Sequence, residues 1–445
     1  MGLEPSPELL AVSVAYFVQG VKMSLGTLTE SYYMKDDLLF DPPAADTFKA
    51  IAHIPWMIKP LYGFVTDTLP IMGRRRRPYL IICGLSGFLA FGLLSILPPL
   101  AGTALLFMTL GELAIAFSDV VIDGVVVECS RGEDQATAGS LQSICWGSQA
   151  IGKLSSAYTS GWLVARVGAR PALGLMAFFP LLMCFTSGLI SEQRQDYAAL
   201  TKAEDPPSVN DPSSESSGGS TLDRLREQLW TLWHAILQPE ILLPAAFIFL
   251  WQAGPTSKGS FFFFYTNELG FSPEFVGSIQ LLDGVAQLAG VYLFNTFLRK
   301  VELRRLFFNL TLIGVAAGFT QLLLVTGVNR QLGINDKVFV LFDSVLLTGL
   351  GRIALMPALV LAAKVCPEGV EATLYAALMS ISNASGGVSE LLGAALSKLL
   401  GITAHEFANM TWLVLICTLS SLLPLPFLRL VPDISEHTAI PTTEH

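Results

Sequence analysis

Long apolar runs alternate with short polar turns along nearly the whole chain. A helix needs about 20 mostly apolar residues to cross a membrane, and the sequence contains about twelve such runs, named here segments one to twelve. Six lie in the first half, at 9–29, 46–66, 79–100, 103–128, 137–164 and 170–190. Six more lie in the second half, at 240–265, 273–298, 304–327, 337–364, 371–400 and 406–429. The pattern predicts an all-α integral membrane protein with about twelve transmembrane helices.

A polar stretch separates the two sets of segments. It contains PPSVNDPSSESSGGS, a composition typical of a flexible linker. The sequence TLDRLREQLWTLWHAI then spaces leucines and tryptophans like an amphipathic helix on a membrane surface. We therefore predict an N-terminal six-helix bundle in 1–190, a partly disordered linker in 191–238, a C-terminal six-helix bundle in 239–430 and a polar tail in 431–445.

The two predicted bundles share short motifs at a nearly constant separation. Pro7-Glu8 recurs as Pro239-Glu240, and Phe40-x-Pro42 recurs as Phe271-x-Pro273. Gln19 and Gln252 keep almost the same separation. These repeats indicate two pseudo-symmetric halves, an arrangement found in many secondary transporters.

The charges in the turns indicate how the chain is oriented. The turns after segments two and eight are basic, with Arg74 to Arg77 in one and Arg299, Lys300, Arg304 and Arg305 in the other. The loops after segments one and seven are acidic, with Glu30, Asp36, Asp37, Asp41 and Asp46, then Glu268 and Glu274. Because short cytoplasmic loops concentrate Lys and Arg, we predict that the linker and both termini are cytoplasmic. Arg166 and Arg170, after segment five, go against this rule.

Composition agrees with a membrane protein. Of the 445 residues, 52% are hydrophobic and 14% are charged, and the mean hydropathy is +0.56. A soluble protein of this length could not bury so much apolar surface. Much of the acid behind the net charge of −9 lies in loops, linker and tail, so we expect solvated surfaces and no nucleic-acid partner. The six cysteines lack metal-ligand spacing, and the N-terminus has no cleavable signal pattern.

The sequence gives no sign of an enzyme. It has no glycine-rich phosphate loop, no His-x-x-x-His metal motif and no serine elbow. It contains no nucleotide-binding domain that could drive transport with ATP. We therefore expect neither a catalytic residue, a metal nor a cofactor.

Charged residues inside the segments are distributed unevenly. A charge at the membrane centre costs about 2.5–3.5 kcal/mol on insertion scales, so it usually meets a partner or a water-filled cavity. Segments three, six, nine and twelve have no charge in their middles. The other segments hold the charged residues Lys22, Lys59, Glu112, Asp119, Asp123, Lys153, Lys258, Asp283, Asp343, Arg352 and Glu390, and segment seven also holds the polar Gln252. The pattern predicts that every third helix supports a bundle while the remaining helices line a central cavity, as in a transporter.

Helical geometry places several of these residues on shared faces. At about 100° per residue, Glu112, Asp119 and Asp123 form one acidic stripe on segment four. On segment five Gln142, Trp146, Gln149 and Lys153 share a face, and on segment eight Gln280, Asp283 and Gln287 do. A stripe with one tryptophan and one lysine suits a planar, partly anionic ligand. The ring can stack on the tryptophan while the lysine meets a carboxylate.

Each charged residue also has a structural interpretation. Lys22 and Lys59 can neutralise Asp119 or Glu112 as buried pairs. Asp123 and Glu128, near the end of segment four, can pair with Arg131 or with the cluster Arg74 to Arg77. Lys258 can extend its amine to the membrane surface. The two deep cations, Lys153 and Arg352, can bind a substrate or can pair with Glu390 or Asp343. The sequence leaves these alternatives open.

The stretch 55–79 resembles the loop between helices two and three of the major facilitator superfamily, through Gly63-x-x-x-Asp67 and Gly73-Arg74-Arg75-Arg76. The surrounding Pro55-Trp56, Lys59 to Gly63 and Asp119 to Asp123 are similar to the folate–biopterin transporter family. Thr66-Asp67 and Gly73-Arg74 depart mildly from the expected Ser-Asp and Gly-Tyr-Arg. The resemblance implies the major facilitator fold, movement of folates or pterins, and coupling to protons.

The residues and the resemblance together define an expected site. The substrate-binding candidates are Lys59, Asp119, Asp123, Trp146, Gln149, Lys153, Gln252, Asp283, Arg352 and Glu390, and the gating-loop candidates are Gly63, Asp67, Gly73, Arg74, Arg75 and Arg76. We expect a monomer in the lipid bilayer of the plasma membrane or of an organelle such as the plastid. The alternatives are a transporter of another organic anion or metabolite and a membrane sensor without flux.

Overall fold

The computed structural model of the protein describes residues 6–130, 135–192, 237–299, 301–365 and 371–431. Helices dominate these residues, which contain no strand beyond an isolated pair between Ile71 and Arg74. The predicted surface helix lies outside the described residues, as do almost all of the predicted linker and tail.

The first half of the chain forms helices in each of its six predicted segments. Their bounds are Pro7–Val21 and Thr27–Tyr32 in segment one, Pro42–Ala52 and Lys59–Thr68 in segment two, Arg77–Ile96 in segment three, Ala101–Ser130 in segment four, Gln135–Val167 in segment five, and Ala169–Met176 and Phe178–Ser187 in segment six. Segment one is continuous to Asp37, because wider π-helical turns at Lys22–Gly26 and Tyr33–Asp37 join and extend its helices.

The second half repeats this pattern. Its helices are Pro239–Gln252 and Lys258–Phe263 in segment seven, Pro273–Leu293 in segment eight, Leu303–Gly318 and Thr320–Val325 in segment nine, Asp336–Val365 in segment ten, Glu371–Leu399 in segment eleven and Met410–Ser420 in segment twelve. A short helix, Val328–Gln331, joins segments nine and ten. Segments seven and eight end in the π-helical turns Phe264–Glu268 and Phe294–Leu298, and segment twelve ends in the 3₁₀ helix Leu425–Leu430.

Eight helices in the described part of the chain are long and apolar enough to cross a membrane. Segment two falls outside this set because Pro55 and Pro60 lie around a 3₁₀ turn that divides its helix. Segment seven is interrupted between Gln252 and Lys258. The all-α membrane fold is confirmed, whereas the exact count of twelve spanning helices stays a prediction.

The two ends of the helix bundle carry opposite charges. We call the end with the loops after segments one and seven the acidic end, and the end with Arg74 to Arg77 the basic end. At the acidic end the halves touch: Lys35 Nζ donates to Asn267 Oδ1 at 3.2 Å, and the Ala404 amide donates to Asp41 Oδ1 at 2.7 Å. The halves are therefore closed at the acidic end.

Glycines allow close helix contacts on the acidic side of the bundle, one between the halves and one within the second half. A methyl group built on Gly161 of segment five would lie 2.1 Å from the carbonyl oxygen of Pro273 in segment eight. Within the second half, the same construction on Gly393 of segment eleven would lie 2.1 Å from the carbonyl oxygen of Thr256 in segment seven. Because any side chain at these two positions would collide with backbone, the packing requires glycine there.

Two acids lie elsewhere than their sequence context suggests. Glu30 and Asp46 were assigned to the acidic loop after segment one, and this placement is wrong for both. Glu30 lies in the helix Thr27–Tyr32 and Asp46 in the helix Pro42–Ala52, and both are buried, at 2% and 5% exposure. The helix of segment one continues beyond its most apolar run and includes Glu30, and the helix of segment two begins at Pro42 and includes Asp46.

Candidate functional site

A buried charge network occupies the interior of the first half. Lys22 Nζ lies 2.6 Å from Glu112 Oε1 and 2.9 Å from Glu30 Oε1. Trp56 Nε1 donates to the other oxygen of Glu112 at 2.8 Å. One lysine thus holds two carboxylates from segments one and four, and the structural pairing considered for Lys22 and Glu112 is present.

A second ion pair lies further along segment four. Lys59 pairs with Asp119, and its amine also lies 5.0 Å from the centre of the Trp56 ring, within range of a cation–π interaction. The 3₁₀ turn in segment two carries Trp56 just before Lys59. One helical turn beyond Asp119, Asp123 accepts a hydrogen bond of 2.6 Å from the hydroxyl of Tyr16.

The polar face of segment five points toward the interior. Gln149 donates to Gln19 of segment one at 3.3 Å, and Lys153 donates to Gln287 of segment eight at 2.8 Å. Trp146 lies on the same face by helical spacing, yet its exposed fraction is 57%. Neighbouring residues therefore leave most of this side chain uncovered.

Segment eight brings Lys153 and Arg352 together from opposite halves. Lys153 binds Gln287, and a methyl group built on Gly290, one turn further on, would lie 3.2 Å from Cβ of Arg352. The Nε atom of Arg352 is buried and has no hydrogen-bond partner among the described residues. Neither cation forms an ion pair with Glu390 or Asp343 in the described part of the chain.

The acids of the second half are held by hydroxyl groups. Asp283 Oδ1 accepts from Ser344 at 2.6 Å and from Thr348 at 2.9 Å. Asp343 is bound by Thr320 of segment nine. These contacts bind one oxygen of each carboxylate, and neither acid forms an ion pair with Lys153 or Arg352 in the described part of the chain.

Gln252 and Glu390 lie near the contact between the halves. Gln252 ends the helix Pro239–Gln252, accepts a hydrogen bond of 2.8 Å from Ser382, and has an unpartnered, buried Nε2. Glu390 lies half-buried on segment eleven, which also sends Asn383 Nδ2 to the carbonyl oxygen of Trp56 at 3.0 Å. Segment eleven thus links the second half to the charge network of the first.

The gating loop forms its own network at the basic end. Arg76 lies 3.0 Å from Asp67 and donates to the hydroxyl of Thr66 at 3.0 Å. Gly73 allows the turn, with a φ of 74° that other residues rarely adopt. Gly63 lies against Val120, because a methyl group built on it would approach that side chain to 3.4 Å.

A carboxylate from the end of segment six caps this loop. Glu192 accepts hydrogen bonds from the backbone amides of Arg75, Arg76 and Arg77, where the helix of segment three begins. A carboxylate at a helix start satisfies amides that the helix leaves free. The structure thereby fixes Arg75 and Arg76 by their backbone, and it also seats the Arg76 guanidinium against Gly124.

Several residues of these networks escaped sequence reasoning. Tyr16, Glu30 and Glu192 were not among the candidates, because a tyrosine is unremarkable in an apolar run and the two acids fall at predicted segment ends. Glu30 follows Lys22 by about two helical turns, and this spacing was the available signal. Gln287 was noted on its helical face, but its contact with Lys153 requires the tertiary structure.

Two helical halves with polar networks in their interior, in contact at one end, have the architecture of the major facilitator fold. Comparison with solved structures agrees: the nucleoside transporter NupG aligns with a TM-score of 0.65 over 95% of this chain and 98% of its own, at 15% identity. The predicted major facilitator fold is confirmed.

The chain belongs to the BT1 family, whose family model matches residues 19–445. The folate-biopterin transporter of Synechocystis is 42% identical over 97% of this chain and 83% of its own length. Probable folate-biopterin transporter 5 of Arabidopsis thaliana is 32% identical over 94% of this chain and 82% of its own. The family resemblance noted in the sequence is confirmed, and the family consists of transporters rather than enzymes.

Proposed function

We propose that this protein carries folates or pterins across a membrane by alternating access of a central site. The observation that carries the proposal is the convergence of Lys153 and Arg352, from opposite halves, on the same two turns of segment eight. Both cations are half-buried and without an ion-pair partner in the described part of the chain, a costly arrangement unless water or an anion meets them. The carboxylates of a folate tail supply such an anion.

The aromatic part of the substrate has a matching surface. Trp146 lies two helical turns from Lys153 on the interior face of segment five and is 57% exposed, so a flat pterin can stack on it. Gln149 lies between them along that face. A pterin edge carries neighbouring hydrogen-bond donors that suit a carboxylate. Asp119 can accept from these donors while it keeps its ion pair with Lys59.

Transport in this proposal is coupled to protons. The interior holds more carboxylates than its cations neutralise in ion pairs: Lys22 serves both Glu30 and Glu112, while Asp283 and Asp343 have hydroxyl partners. Buried carboxyl groups without a cation are the usual carriers of a coupling proton. The other substrate-binding candidates, Asp123, Gln252 and Glu390, line the same path in this proposal.

The proposed orientation follows from the loop charges. The basic end faces the cytoplasm, together with both termini and the linker, and the chain works as a monomer. The structure then corresponds to a state closed toward the outside, with Trp146 reached from the cytoplasm. The membrane is the plasma membrane or an organelle envelope, such as that of a plastid.

Replacing Asp67 with Asn should bias the gate at the basic end toward its open state. The Asp67–Arg76 pair is 3.0 Å long, but the Asp67 side chain is 56% exposed. A pair of that kind contributes about 0–1 kcal/mol, so we expect a shift of up to about fivefold with normal folding. The variant Trp146→Cys, in an otherwise cysteine-free chain, is labelled with a membrane-impermeant maleimide from each side. The labelling rates measure the shift in the equilibrium between the open and closed gate.

The matched control for this experiment is Asp336→Asn. It breaks another arginine–aspartate pair, Arg330–Asp336 at 3.0 Å, which lies at the acidic end away from the loop. Asp67→Asn should raise labelling from the basic end, whereas Asp336→Asn should leave it unchanged. Equal labelling of Asp67→Asn and the wild type under all conditions would count against a gating role for the loop.

A further inference from the structure

A buried carboxyl group lies between the two halves without a charged partner. Asp46, in the helix Pro42–Ala52 of segment two, is 5% exposed, and its buried Oδ2 has no hydrogen-bond partner among the described residues. Its carboxylate lies against Gly259, the second residue of the helix Lys258–Phe263 in the opposite half. A methyl group built on Gly259 would lie 1.8 Å from Asp46 Oδ1.

The fit between these two residues depends on the halves being closed. Only a glycine at position 259 leaves room for the carboxyl group of Asp46. The carboxyl group comes from segment two of the first half, and the glycine comes from the second half. The same interface holds the Lys35–Asn267 and Asp41–Ala404 contacts. Parting of the halves at the acidic end would therefore release Asp46 into water.

No neighbouring charge forms an ion pair with Asp46 among the residues that the structure describes. The charged groups around it are Lys49 one turn along its own helix, Glu390 on segment eleven, and Lys258 beside Gly259. Glu112 of segment four is already paired with Lys22. His53 is the C-cap residue of the helix that contains Asp46, and it lies near Glu112. None of these groups forms an ion pair with Asp46 in the described part of the chain.

We propose that Asp46 is a proton-binding site that closes the acidic end when it is protonated. On closure the carboxylate takes a proton from water at that end and enters the interface as a neutral acid. On opening it returns the proton to water and becomes a solvated anion. The physical reason is that burying an unpaired carboxylate is costly, whereas burying the neutral acid is much less so.

This inference rests on the proposed alternating access, but it can be tested without any substrate. Spin labels on Leu39→Cys and Leu332→Cys, two exposed positions at the acidic end in opposite halves, report the opening as a distance in an otherwise cysteine-free chain. The full chain is placed in lipid nanodiscs, and double electron–electron resonance is recorded over a range of pH. Binding of one proton changes the ratio of closed to open molecules by up to about tenfold per pH unit.

We expect acid to increase the closed population of the wild type. Asp46→Asn, which is permanently neutral and of the same shape, should be closed at every pH. Gly259→Ala should be open, because its methyl group occupies the place of the carboxyl group. Glu268→Gln removes an exposed acid at the same end and should titrate like the wild type.

Two results would overturn the proposal: a wild type whose distances do not change with pH, or an Asp46→Asn variant that titrates like the wild type. Folding of each variant is checked by size-exclusion chromatography, and Gly259→Ala tests the contact from the other side. If the chain shows the expected pH dependence but does not transport folate, the proposed function is wrong and the proton site at Asp46 is supported.

Discussion

Replacement of Arg352 or Lys153 by Gln should lower the affinity for folates by about 10- to 100-fold and leave the affinity for tail-less pterins nearly unchanged. A hydrogen bond to a charged group contributes about 1.5–3 kcal/mol, and each 1.4 kcal/mol is about tenfold in affinity. Both cations reach segment eight, Lys153 at Gln287 and Arg352 beside Gly290. Only a substrate with a carboxylate tail would lose these contacts.

Competition against labelled folate measures both affinities in one assay. Unlabelled folate and unlabelled pterin are titrated against each variant, and surface expression is measured in parallel. Lys398→Gln and Arg305→Gln are the matched controls, since they neutralise exposed cations of the same two types away from the site. Equal loss of folate and pterin affinity, at normal expression, would refute the role of the pair in binding the tail.

Replacement of Lys22 by Gln should destabilise the folded protein by about 3–5 kcal/mol, the range expected when one member of a buried ion pair is removed. Lys22 holds Glu30 at 2.9 Å and Glu112 at 2.6 Å, and both acids are 2% exposed. Its loss would leave two buried carboxylates without a cation. Thermal unfolding of the purified variant in detergent, followed by size-exclusion chromatography, measures the effect.

Two further variants separate charge from packing in this network. Lys35→Gln removes a lysine whose ion-pair partner Asp36 is half-exposed and whose contact with Asn267 is an exposed hydrogen bond, and should cost at most about 1 kcal/mol. The triple variant Lys22→Gln, Glu30→Gln and Glu112→Gln removes all three charges and should recover much of the stability lost by Lys22→Gln. A Lys22→Gln protein as stable as Lys35→Gln would contradict the importance of the ion pair.

The helical architecture and the family could be predicted because both depend on local signals. Apolar runs of membrane length mark the helices, and motifs such as Gly63 to Asp67 are contiguous in sequence. Ion pairing of Lys22 with Glu112 was also foreseeable, since charges in apolar helices need partners. The structure bears out these expectations where its described residues reach.

Other features depend on geometry that the apolar pattern does not contain. The π-helical turn Lys22–Gly26 widens segment one and continues it past residue 29, which brings Glu30 into the interior. Asp46 is acidic and follows two prolines, so its surroundings in the sequence are typical of a loop. The meeting of Lys153 and Arg352 on segment eight requires the packing of both halves. Their roles as substrate ligands stay predictions.

Uptake of labelled folate by a folate-requiring, transport-deficient bacterium that expresses this chain tests the central claim most directly. We predict folate-dependent growth and saturable uptake, both lost in the Lys153→Gln, Arg352→Gln double variant at normal expression. Uptake of a different organic anion with none of folate or pterin would contradict the proposed substrate. Binding of folate without any flux would contradict transport itself and indicate a sensor.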